Sequence, residues 1–108
     1  MLYACGGIMD TNCDMRGMLS FQILYLLSKR SMHGDELAQE IGKRRGEKPT
    51  AGTIYPALKE LKRKKLIAGN KKGKTIVYSL TSEGRKVMKS ALAYFCRCFG
   101  DIISESAH

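Results

Sequence analysis

Between Met18 and Leu27 nearly every position is apolar. Met18, Leu19, Phe21, Ile23, Leu24, Tyr25, Leu26 and Leu27 crowd a segment that reads as one helix over residues 16–29. A helix apolar on almost every side is buried on more than one face. In a chain this short, the second burying surface is expected from another subunit. Upstream, residues 1–15 carry no clear period and read as an N-terminal arm. His33-Gly34 interrupts the pattern, with His33 in a turn or capping role. A second helix follows over 35–43: Asp35 and Glu36 lie in its first turn, where the helix dipole favours negative charge, and Leu37, Ala38 and Ile41 make a narrow stripe. Residues 43–49 read as a turn punctuated by Gly and Pro. Thr50 is a good N-cap for a third helix over 51–64. There Ile54, Ala57, Leu58 and Leu61 fall at i, i+3, i+4 and i+7, which leaves Gly52, Tyr55, Pro56, Lys59 and Arg63 on the opposite face.

The period then changes to two. Leu66-Ile67-Ala68, the lysine-rich stretch 69–74, and a β-branched run 75–80 with Ile76, Tyr78 and Leu80 alternating predict a hairpin. Thr81 caps a last helix over 82–103 with Glu83 in its first turn. Placing Met88, Phe95 and Ile102 at heptad a puts Ala91 and Cys98 at d, while Leu92 and Phe99 widen the stripe. So broad an apolar face calls for a partner helix, with packing on the chain's own first helix taking part of it. The pattern therefore predicts a mostly α fold: a winged helix-turn-helix of three helices and a two-stranded wing, then a long C-terminal dimerisation helix. The expected division is an arm (1–15), a DNA-binding domain (16–81) and a dimerisation helix (82–108). Leu19, Ile23, Met88, Ala91, Leu92, Phe95, Cys98, Phe99 and Ile102 are the candidate dimer or effector face.

Composition narrows the function. At 108 residues the chain holds about one domain, too small for a Rossmann domain, a kinase or a barrel. Hydrophobic residues at 44% and charged residues at 27% suit a folded protein. The formal net charge is +9 and the pI is near 9.6, and the charge is concentrated. Residues 43–74 hold twelve Lys and Arg against two acids, Glu47 and Glu60, while the rest of the chain has seven bases and eight acids. Three basic clusters that punctuate periodic segments are the electrostatic footprint of phosphate binding. On the third helix, Gly52 permits close approach of a phosphate, Thr50, Thr53 and Tyr55 bring hydroxyls to the N-terminal turns, and Lys59 and Arg63 share the outward face. Lys71, Lys72 and Lys74 arm the wing tip. Most such contacts position rather than specify, so DNA affinity should fall steeply with salt.

Three strings in this order, RGMLSFQILYLLSKRSMHGDEL, GTIYPALKELKRKKLI and YSLTSEGRK, resemble the PadR family of transcriptional regulators over residues 16–89. The length is similar to the compact members with a single C-terminal helix. The resemblance implies a homodimeric, cytoplasmic repressor of double-stranded promoter DNA, with the first and last helices forming the dimer interface. It also implies release by a small hydrophobic or phenolic effector. Two departures stand out. Asp35 occupies the place where family members commonly carry Tyr, and the chain has no Trp, leaving Tyr94, Phe95 and Phe99 as the aromatic residues of the last helix.

Other chemistry is sparse. No Ser/His/Asp grouping, Walker loop or pair of catalytic carboxylates occurs, so neither an enzyme nor a cofactor is expected. No apolar run is long enough to span a bilayer, and residues 1–9 do not read as a secretory signal. Four cysteines without a signal fit a reducing, cytoplasmic setting. Cys96 and Cys98 point roughly 160° apart on a helix, Cys98 toward the apolar seam as a small packing residue and Cys96 toward solvent. Cys5 and Cys13 do not have the spacing of a metal knuckle. An alternative reading makes Cys5, Cys13, Cys96 and Cys98 a redox- or metal-responsive set. Another makes the winged helix bind RNA or a protein, since fold alone does not dictate ligand. A membrane surface fits less well, because the bases lie beside a wing rather than along one amphipathic helix.

Overall fold

The first helix begins before its apolar run. In the computed structural model, which describes residues 11–106 and the side chains of 18–106, α1 spans Thr11–Leu27. Residues 11–15 thus continue the helix rather than the arm, as befits a stretch with no Gly or Pro to stop it. Cys5 and the side chain of Cys13 lie outside the described residues. The chain continues through β1 (Met32–His33), α2 (Gly34–Arg45), α3 (Ala51–Arg63), β2 (Ile67–Lys72), β3 (Thr75–Leu80) and α4 (Ser82–Ser106). The strands form one antiparallel sheet in the order β1-β3-β2. Strand β1 was not legible in the hydropathy pattern. It exists because Met32 and His33 pair with Tyr78 and Val77 on the free edge of β3, and two residues carry no period.

The centre of the core is built from three i,i+4 pairs, one per helix. Leu19 and Ile23 come from α1, Leu37 and Ile41 from α2, and Ile54 and Leu58 from α3; all six are fully buried. Each is worth about 1.5–3 kcal/mol relative to exposure. This corrects the expectation that Leu19 and Ile23 face another subunit: at 1% and 0% exposure they have no surface left to offer one. Met88, at 7%, likewise joins the protomer's core. Helix α1 is apolar all round because α2, α3, β3 and α4 all pack on it. Phe21 turns to α4, where its ring stacks on Phe95 at 6.3 Å.

The joints between elements are specified by short-range chemistry. His33 is the N-cap of α2: its Nδ1 accepts the Glu36 amide at 3.2 Å, and its own amide donates to Glu36 Oε1 at 3.0 Å, a reciprocal capping box. Helix α3 ends in a complete Schellman motif. The Leu66 amide donates to the Leu61 carbonyl and the Lys65 amide to that of Lys62, with Lys65 at φ +63°. Lysine in this left-handed position is strained by about 1–2 kcal/mol, partly offset against glycine's larger entropy loss. Lys65→Gly is therefore expected to raise stability by about 0.5–1 kcal/mol in thermal or urea unfolding, and Lys65→Ala to give no gain.

Helix α4 leaves the sheet with much of its apolar stripe uncovered. Leu92, Phe99, Ile102 and Ile103 are exposed, the last two by 56% and 52%, and Met18 of α1 joins them at 49%. Phe95 is half-buried between Phe21 and Phe99, the latter ring 5.0 Å away, and Ala91 is half-buried too. Cys96 and Cys98 are both exposed, so Cys98 is not packed inside the protomer. Among the described residues no helix is long and apolar enough to cross a membrane.

Candidate nucleic-acid interface

The inward stripe of α3 fixes what faces out. With Ile54, Leu58 and Leu61 buried, Gly52, Thr53, Tyr55, Pro56 and Lys59 are exposed on one side. Thr50 caps the helix in an extended conformation, but its side chain caps no amide; its hydroxyl lies 3.2 Å from that of Thr53. Among the described residues the amides of Ala51 and Gly52 therefore have no acceptor, and the positive end of the helix dipole opens outward. A Cβ on Gly52 would meet nothing closer than the Thr50 hydroxyl at 3.8 Å. The fold has no need of glycine there.

Tyr55 is anchored by a different glycine. A Cβ on Gly34 would fall 2.6 Å from the Tyr55 hydroxyl oxygen, so the tyrosine lies against the first turn of α2 in space that only glycine leaves. Two clefts flank this ring. One, about 330 Å³, runs between Gly34, Asp35, Lys74 and Ile76 with Tyr78 beneath; the other, about 350 Å³, is bounded by Asp35, Lys48, Thr50 and Ile54. Burial, with Tyr55 adding a smaller effect, pushes the Tyr78 phenol above its ordinary pKa. The wing turns at Gly73, φ +65°, which puts Lys71, Lys72 and Lys74 at an exposed tip.

Ion pairing divides the basic segment in two. Lys43 and Arg44 pair with Glu40, Lys48 with Asp35, and Arg63 and Lys64 with Glu60. Arg63 grips Glu60 through two bonds, 3.0 and 2.6 Å, which hold the carboxyl below its usual range and raise the guanidinium. Arg63, expected on the outward face, is thus occupied within its own helix. Lys59, Lys62, Lys65, Lys71, Lys72 and Lys74 have no ion pair among the described residues. The structure brings Tyr55, Lys74 and the α3 N-terminus together around the clefts, with Lys59 one turn further along α3. Asp35, Lys48 and Gly34 belong to this surface without having been singled out as site residues. Asp35 and Lys48 are thirteen positions apart, and no local pattern announces such a pair.

Among the described residues no group of three or more His, Cys, Asp or Glu could hold an ion. The model of the transcriptional regulator PadR-like family matches residues 23–90. Among solved structures, the chain is similar to a PadR-like transcription factor from Bacteroides fragilis, at 22% identity and a TM-score of 0.74, covering 87% of this chain and 95% of that one. It is similar in fold to a PadR family transcription regulator from Clostridium difficile (24% identity, TM-score 0.68, 83% and 98% covered). A protein of Thermoplasma acidophilum assigned as a transcriptional regulator shares 30% identity, with a TM-score of 0.66 over 84% of this chain and 93% of that one. No curated protein matches the chain.

Proposed function

The chain belongs to the transcriptional regulator PadR-like family, and on that premise we propose that it is a DNA-binding protein, a homodimeric repressor of promoter DNA released by a small hydrophobic or phenolic effector. Residues 16–81 form the DNA-binding unit and 82–108 the dimerisation segment. The observation that carries this reading is the sorting of charge around α3 and the wing. Bases on the flanks are neutralised by Glu40 and Glu60, while Lys59, Lys71, Lys72 and Lys74 stay unpaired beside the open α3 N-terminus. In the major groove, Thr50, Gly52, Thr53 and Tyr55 approach the duplex, Lys59 meets a phosphate, and the wing lysines track the neighbouring backbone. Arg63 joins only by exchanging Glu60 for DNA. The exposed row of Leu92, Phe99 and Ile102 supports a second copy as partner. The aromatic run Phe21–Phe95–Phe99 beside it supports an apolar effector seat.

The test is fluorescence anisotropy with the protein's own upstream DNA and a scrambled duplex across a salt series. Two protomers with six unpaired lysines each bound the slope of log K against log salt at about −11, and a value steeper than about −4 is expected. Lys59→Ala, which removes one phosphate contact from each protomer, should flatten that slope by about 1.8 on both duplexes, and Tyr55→Ala should weaken upstream binding by roughly 10- to 100-fold with the fold intact. Full affinity in both variants would remove α3 as the reading element. Preference for RNA over duplex DNA would replace the reading altogether.

A further inference from the structure

Asp35 is an acid set into a basic surface, and the cap of its helix does not need it. Its neighbour Glu36 is taken up by the His33 capping box and by Arg30 at 3.2 Å. Asp35 instead lines both clefts beside Tyr55. Lys48 Nζ donates to its Oδ1 at 2.9 Å and Gln39 Nε2 to its Oδ2 at 2.8 Å. The Lys48 bond draws the carboxyl below its ordinary pKa.

The pair is not what holds the turn between α2 and α3. Both side chains are more than half exposed, at 52% and 55%, where ion pairs contribute little to stability. The backbone does that work: Gly46 closes α2 at φ +83° with its amide on the Gly42 carbonyl, and a Cβ on Gly42 would lie 2.9 Å from Lys48 Cα. The position of Lys48 along the chain is thus set by packing, and only its side chain is set by Asp35.

What the pair controls is charge. Lys48 borders the cleft that also holds Thr50 and Ala51, next to the unaccepted amides of Ala51 and Gly52. A lysine there would add to phosphate binding, and a lysine held on a carboxylate does not. We propose that Asp35 is an intramolecular competitor for DNA phosphate at Lys48, and so sets how tightly the regulator holds DNA of any sequence. The inference rests on the DNA-binding reading above. Each additional neutralised phosphate steepens the salt slope by about 0.9, which at 0.1 M salt is about an eightfold gain in affinity. The gain should be equal on both duplexes, because phosphate contacts carry no sequence information.

The experiment is a double-variant cycle read by anisotropy on upstream and scrambled duplexes across a salt series. Asp35→Asn is expected to tighten binding about ten- to sixtyfold at 0.1 M salt on both duplexes, with the slope steeper by about 1.8, because each of the two protomers frees one lysine. Lys48→Ala alone leaves the carboxylate unpaired and should weaken binding, whereas the double variant, like the neutral pair it replaces, should bind within about twofold of the unaltered protein. Weaker binding by Asp35→Asn would make the pair a strap that positions α3 and would overturn the proposal. So would a double variant that keeps the full gain of Asp35→Asn over the unaltered protein, or a gain confined to the upstream duplex. Failure of the unaltered protein to bind either duplex at low salt sinks the DNA-binding reading itself, and is seen before any variant is compared.

Discussion

Gly84→Ala is expected to destabilise the protein by about 2–4 kcal/mol, although the same exchange inside an exposed helix is ordinarily stabilising. Gly84 lies in the first turn of α4, where a Cβ would fall 1.9 Å from the Leu66 carbonyl oxygen and 2.8 Å from a Leu80 methyl. Neither neighbour can yield freely. The Leu66 carbonyl accepts the Thr81 amide at 3.1 Å, and the Leu66 amide closes the Schellman motif of α3. The Thr81 hydroxyl lies 2.8 Å from the Lys65 carbonyl and 3.0 Å from that of Leu66, and it accepts the Gly84 amide at 3.0 Å. One clash thus pushes on the end of α3, the start of α4 and the edge of the hairpin. For a domain of this size the melting temperature should fall by about 10–20 °C at fixed protomer concentration. Gly100→Ala is the control: it lies in the same helix with nothing within 4 Å of its Cβ position, and should gain about 0.5–1 kcal/mol. If the two variants melt alike, the α3–α4 latch is not as described.

That latch also marks where sequence reading stops. The helical period of Ile54, Leu58 and Leu61 placed α3 and its outward face correctly, because a stripe at 100° per residue leaves one solution. Thr81 and His33 were legible as caps because capping chemistry is local. The pairing of Arg63 with Glu60 was also within reach, since residues three apart on a helix are neighbours. Contacts between distant segments were not. Gly34 beneath Tyr55, Gly84 against Leu66 and Lys48 on Asp35 each join positions that only the completed fold brings together. The burial of Leu19 and Ile23 was misjudged for the same reason. An all-round apolar helix says that several surfaces cover it, and does not say which chain supplies them.

The apolar face of α4 leads to the second large effect: Ile102→Asp should convert the protein to a monomer and lower its affinity for upstream DNA by at least about 100-fold. Ile102 is 56% exposed and Ile103 52%, so the protomer's own core loses little and its melting transition should persist. In a two-fold dimer the same residue enters the interface twice. Two carboxylates buried in an apolar seam without partners cost several kcal/mol each, more than a contact made by one helix per subunit can offset. The loss on DNA follows from linkage rather than from any lost contact. A dimer that engages two half-sites gains the second at an effective concentration worth about 10²–10⁴ in affinity, and a monomer gains none of it. Light scattering with size-exclusion chromatography reads the first consequence and anisotropy the second. A monomeric variant with undiminished affinity would show that one winged helix suffices for binding. A variant still dimeric would move the interface off this stretch of α4.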